Sequence, residues 1–95
     1  MKHPSLAKAL FRAGRLVATP HALAQVSQEE IIQALTRHLA GDWGDVSAED
    51  RQANAFALQE GTRLLSVYRS AQGVKFWVIT EADRSATSIL LPEDY

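Results

Sequence analysis

Apolar residues recur at helical spacing up to about residue 60 and at alternate positions from residue 63 onward. That change of period predicts helices first and a sheet after them. Leu6, Ala9, Leu10 and Ala13 share one stripe over Ser5–Ala13, with Gly14 as a stop, so a short first helix is expected there. Arg15–Thr19 reads as a brief strand closed by Thr19-Pro20. Proline fixes φ and lacks an amide hydrogen, so it suits the first turn of a helix over His21–Gln25 with Thr19 as its cap. The clearest start signal is Ser27-Gln28-Glu29-Glu30, a capping box, with Val26 and Ile31 placed as a hydrophobic staple. It opens a helix over 28–40 whose expected buried stripe is Ile31, Ile32, Leu35 and Leu39, with Arg37 and His38 in the last turn and Gly41 beyond it. Ser47 caps a further helix to about Glu60, with Asp50 at the box position, Gly61 as terminator and Ala53, Phe56 and Ala57 as its core stripe.

Three strands follow: Arg63–Tyr68, Val74–Thr80 and Thr87–Leu91, rich in β-branched and aromatic residues. Ala71-Gln72-Gly73 makes a short hairpin loop, Thr80–Ala86 a longer polar turn, and Pro92 stops the last strand. The expected fold is α+β, with N-terminal helices packed on a C-terminal three- to four-stranded antiparallel meander sheet. No linker or repeat interrupts 1–95, so a single domain is expected, with 1–13 as a peripheral basic helix. In the middle strand Val74, Phe76, Val78 and Thr80 share one face, and Lys75, Trp77, Ile79 and Glu81 the other. The second row is polar at its ends and is the expected solvent- or ligand-facing side.

At 95 residues and 46% hydrophobic the chain holds one modest core. The absence of cysteine excludes disulfides, thiolate metal sites and a cysteine nucleophile. No apolar run approaches the ~18 residues of a membrane span and no signal-peptide core opens the chain, which predicts a cytoplasmic protein. The net charge of −1 conceals an asymmetry. Residues 1–28 carry Lys2, Lys8, Arg12 and Arg15 against no acid; residues 29–60 carry seven acids against Arg37 and Arg51; residues 61–95 balance four against four. The basic head either faces a polyanion or packs on the acidic middle.

Two stretches resemble a known family. They are Val17-Ala18-Thr19-Pro20 with Arg37-His38, Gly41-Asp42-Trp43-Gly44-Asp45, Glu49-Asp50-Arg51 and Asn54, and then Phe76–Thr87 with Ile89-Leu90-Leu91-Pro92-Glu93-Asp94-Tyr95. Over about residues 14–95 the chain resembles small bacterial proteins associated with plasmids and mobile elements, some labelled as restriction-modification related. The Ile79-Thr80-Glu81-Ala82-Asp83-Arg84-Ser85 run with the Ile89–Tyr95 ending carries most of the likeness, and His21 stands where that family has a small residue, usually glycine. The resemblance implies a setting on mobile DNA and supplies no mechanism; 95 residues are too few for a methyltransferase domain.

The densest polar cluster is Thr80, Glu81, Asp83, Arg84, Ser85 and Thr87. Arg84 can clamp a phosphate and Glu81 can serve as general base, with His38 as general acid, which is the equipment of a metal-independent ribonuclease toxin. The same groups can instead brace a long hairpin turn. Asp42 and Trp43 form a second candidate binding cluster, in which the Trp can equally plug a helix–sheet junction. Trp77 can stack a base or a partner side chain, and either an exposed Trp77 or an unpaired strand edge would make a homodimer seam. His3, His21 and His38 are too scattered for a zinc site, so neither metal nor cofactor is expected. A non-catalytic interaction or regulatory protein of a mobile element, with an unknown protein partner, is the first expectation; the ribonuclease and a nucleic-acid-binding accessory protein are the alternatives.

Overall fold

The computed structural model describes residues 9–95. Along these the chain runs through strand β1 (Arg15–Ala18), helices α1 (Pro20–Gln25), α2 (Gln28–Leu39) and α3 (Ala48–Glu60), strands β2 (Leu64–Arg69), β3 (Lys75–Thr80) and β4 (Ala86–Leu90), and a 3₁₀ turn at Pro92–Asp94. The α+β mixture matches expectation; the sheet does not match fully. Its order is β1-β4-β3-β2, with β2, β3 and β4 antiparallel as expected but β1 parallel to β4. A hairpin can join only antiparallel strands. Here three helices and two strands intervene between β1 and β4, so the chain re-enters beside β1 in the same direction.

Local start signals act where they stand in the chain. The Thr19 hydroxyl accepts from the Ala22 amide, and Ser27 and Glu30 close a reciprocal capping box. Ser47 accepts from the Asp50 amide. The Glu30 carboxylate also accepts from the Ala71 amide, and this bond, ahead of those to Ser27, holds it below the usual carboxylate range. One side chain thereby starts α2 and pins the β2–β3 hairpin.

Helix faces were less legible. In α2 the buried positions are Ile31, Ala34 and His38, while Ile32 is 46% exposed and Leu35 and Leu39 are only partly covered. The helix is rotated because small Ala34 packs among the sheet's side chains and His38 finds polar partners on it. In α3 the buried pair is Asn54 and Ala57, and Phe56, an expected core residue, is 58% exposed. The expected first helix is not formed over residues 9–13. Residues 5–8 lie outside the described ones, and 9–13 are irregular, tied to α2 by the Leu10 amide on the Leu39 carbonyl. A single apolar stripe is too little to hold residues 9–13 in a helix when an irregular path lets Phe11 pack against the core.

One core layer joins Ala22, Val26, Ile31 and Ala34 of the helical side to Tyr68, Phe76, Val78 and Ile89 of the sheet. A second gathers Trp43, Val46, Ala57, Leu64 and Val67, with Phe11 and Trp77 against it. Strand β2 is an edge strand, but side chain and loop cover it. Asn54 donates through Nδ2 to the Leu65 carbonyl (2.7 Å) and accepts from the Leu65 amide at Oδ1 (3.1 Å), as a neighbouring strand would. Beyond it, Val67 donates to the Trp43 carbonyl and accepts from the Asp45 amide.

Candidate functional site

The Glu81–Thr87 turn is a brace. Asp83 accepts from the Ser85 amide at 3.0 Å, and bonds from Ser85 hold its carboxyl below the usual range. Arg84 adopts φ 61°, the left-handed region that costs a side-chain-bearing residue free energy. Its guanidinium donates to four carbonyls: Thr62 (2.6 Å), Ala57 (3.0 Å), Glu81 (3.1 Å) and Ala82 (3.2 Å). A planar fork of five N–H donors thus ties the end of α3 and the approach to β2 onto the β3–β4 turn. Replacing it takes a donor from the Thr62 and Ala82 carbonyls, while those of Ala57 and Glu81 still accept from the Gly61 and Arg84 amides, and Arg84→Ala is expected to lower stability by about 2 kcal/mol in chemical denaturation. Unchanged stability would mean that the guanidinium is available to a ligand after all.

His38 is completely buried. Its Nδ1 lies 2.6 Å from Ser66 Oγ and its Nε2 2.9 Å from Thr80 Oγ1. Thr80 Oγ1 lies 2.7 Å from Thr87 Oγ1, which donates to the Ala13 carbonyl at 2.7 Å. That last acceptor has no proton to give, and it orients the whole chain. Thr87 donates outward and so accepts from Thr80; Thr80 in turn accepts from Nε2–H, leaving Nδ1 to accept from Ser66. The imidazole is therefore held neutral. Burial, and secondarily the Arg84 charge, pushes its pKa down to about 4. Phe11 and Trp43 pack edge-on against it, at 5.2 and 5.6 Å between ring centroids. The structure thus does not bring Glu81, Arg84 and His38 around a common open space. Glu81 is exposed, Arg84 is engaged by carbonyls, and His38 lies under Phe11 and Trp43.

Trp43 plugs the helix–sheet junction. Asp42 accepts from Arg37 Nε (2.8 Å) and Nη2 (3.1 Å), and that bond keeps its carboxyl below the usual range. Arg37 in turn lies over the Tyr68 ring at 4.6 Å. Among the described residues no group of three His, Asp or Glu side chains could hold a metal ion. Trp77 is partly buried, its ring 5.6 Å from that of Tyr95, over which Arg63 stacks at 5.4 Å. On the same row Lys75 and Glu81 are exposed as expected, but Ile79 is buried. His21 binds Asp94 at 3.0 Å and Thr19 donates to the same carboxylate at 2.8 Å, so the head of α1 holds the C-terminal turn.

What stands open is elsewhere. Strand β1 is the other edge of the sheet. The Arg15 and Thr19 amides donate to Ser85 and Ile89 of the β4 side, so by alternation the amides and carbonyls of Leu16 and Ala18 face outward. Beside them runs a groove of about 470 Å³ between strand and helices, walled by Leu16, Leu23, Ile31, Ile32 and Leu35, with no charged residue in its lining. Leu16, Leu23 and Ile32 are 56%, 60% and 46% exposed. The sequence pattern did not single these residues out, because Ile32 falls on the expected buried stripe of α2 and the brief Arg15–Thr19 strand carries no signal of its place in the sheet. A second hollow of about 660 Å³ lies between residues 9–15 and the Arg84 turn, with Arg12 and Arg15 on its wall.

Comparison with protein-family models, with curated proteins and with solved structures gave no match. No helix among the described residues is long and apolar enough to cross a membrane.

Proposed function

We propose that this chain is a non-catalytic interaction module that receives an extended strand of a partner protein along the outer edge of β1. The support is the contrast between the two sheet edges. At β2 the outward backbone groups are met by Asn54 and the 43–45 segment; at β1 those of Leu16 and Ala18 meet no strand among the described residues, and exposed apolar side chains flank them. Unpaired ladder groups select an extended chain, and the adjoining groove selects its apolar side chains. The Glu81–Thr87 turn and Trp77, expected as the binding face, have roles within the chain. A ribonuclease assignment lacks support for the same reason, since its general acid would be a buried neutral imidazole. The family resemblance would set this module on mobile DNA, as a small adaptor.

The test is NMR titration with capped hexapeptides of alternating valine and threonine. Saturable shifts are expected at Leu16, Ala18, Leu23 and Ile32. With the chain held monomeric, no shifts at about millimolar peptide, or shifts confined to Trp77 or the Glu81–Thr87 turn, would dismiss the β1 edge as the binding face.

A further inference from the structure

We infer that the strand received at this edge is the β1 of a second copy of the chain, paired antiparallel about a twofold axis at Val17. The inference rests on the edge reading above and adds the identity of the occupant. Its first support is register. With the axis at Val17, Leu16 lies opposite the partner's Ala18 and Ala18 opposite the partner's Leu16. In an antiparallel ladder these are the two narrow pairs flanking a wide one. Four N–H···O=C bonds then use every outward-facing backbone group of the two strands, leaving none unpaired. Any extended strand could make these bonds; a second copy makes them with its own matching outward groups, by symmetry.

The second support is charge. Arg15 falls opposite the partner's Thr19, so no like charges meet across the axis. The groove lining carries no ionisable side chain, and each chain has a net charge of only −1, so long-range repulsion between copies is small. The third is the geometry of the flanks. Leu16 and Ala18 lie on the sheet face that α1 and α2 cover, where Ala18 packs against the core layer and Leu16 lines the groove. Juxtaposing the edges brings Leu16, Leu23 and Ile32 of one copy toward the matching groove of the other. Specific dimers remove on the order of 800 Å² from each partner. One side of a body 34 × 33 × 22 Å is of that size. The product is one continuous eight-stranded sheet, its central pair β1 with β1, both outer edges being the covered β2 strands.

The test is sedimentation of the full-length chain over a range of concentrations, with amide exchange at low and high concentration. The mass is expected to double as concentration rises. Protection of the Leu16 and Ala18 amides should rise with it, while Arg15 and Thr19, bonded within the monomer, stay protected throughout. Ala18→Pro removes an outward donor at an edge position where proline is accommodated, and Leu16→Lys charges the groove; each should weaken dimerisation by at least roughly tenfold with the helical and sheet circular dichroism retained. If Ala18→Pro fails to fold, Leu16→Lys and the exchange of the unaltered chain still decide. A chain monomeric to about 1 mM, or a dimer indifferent to Leu16→Lys with unprotected Leu16 and Ala18 amides, overturns the inference. The hexapeptide titration separates the two levels. A monomer that binds hexapeptide at Leu16 and Ala18 keeps the edge as a binding site for another protein; a monomer that binds none loses both.

Discussion

Lowering the pH from about 8 to about 5 is expected to remove about 2 kcal/mol of folding stability through His38 alone. The unfolded chain titrates this histidine near 6.5, whereas the folded protein holds it neutral down to about 4. Between those values the unfolded state binds the extra proton, so stability rises with pH across the window. The contribution is fully present above about 6.5, declines as pH falls, and levels off below about 4, where the full loss is about 3 kcal/mol. The cause is structural. Nδ1 is needed as the acceptor for Ser66, and a second proton on the ring would place a charge in a wholly buried site beside Arg84. The carboxyls held below their usual range, among them Glu30, Asp42 and Asp83, lose stabilisation in the same direction, but the loss begins only near the ordinary carboxylate value of about 4 and is complete at their own lower values. The interval from about 6.5 to about 5 therefore separates His38 from these carboxyls. Urea unfolding at several pH values reads it directly, and His38→Leu should flatten the slope there while lowering stability at neutral pH by taking the acceptor from Ser66 and the donor from Thr80. A wild-type stability independent of pH over that interval would show that the imidazole is not buried as described.

Gly44→Ala is expected to cost about 3 kcal/mol or more, enough to threaten a domain of this size. Gly44 has φ 73°, and an added Cβ would stand 2.0 Å from the Val67 carbonyl oxygen and 2.7 Å from the Tyr68 ring. Neither can yield cheaply: the carbonyl accepts from the Asp45 amide, and the Tyr68 hydroxyl donates to the Asp42 carbonyl. Relief would pull residues 43–45 off β2, open its covered edge and withdraw Trp43 from His38. Gly61 provides the control. Its φ is 74° but nothing lies within 4 Å of an added Cβ, so Gly61→Ala should cost only the left-handed penalty of about 1 kcal/mol. Equal losses for the two variants in chemical denaturation would mean that contact with β2 contributes nothing.

These two positions show how differently the parts of the chain could be read beforehand. Gly44 and Trp43 were visible as a loop motif, and its bracing role was one of the two readings the residues allowed. In the sequence His38 reads as a last-turn cation of α2, because positive charge is favoured at a helix C-terminus, or as a general acid beside Glu81 and Arg84. Its partners Ser66 and Thr80 lie 28 and 42 residues away, beyond any local pattern. Arg84 misled in the same way: its bonds to Thr62 and Ala57 span 22 and 27 residues, and a dense polar turn looks alike whether it faces a ligand or its own chain.

The sequence by itself determined the chain's local grammar: the caps at Thr19, Ser27 and Ser47, the three-strand meander and its hairpin loop, and the α+β class. Each of these depends on groups within a few residues of one another, where hydrogen-bond reach and side-chain periodicity leave few alternatives. Only the tertiary structure decided that β1 runs parallel to β4, which face of α2 and α3 turns inward, which polar groups are consumed internally, and which sheet edge meets no further strand among the described residues. Those outcomes depend on closing long loops and fitting layers together, so they follow from which distant surfaces match best, a quantity no stretch of neighbouring residues contains.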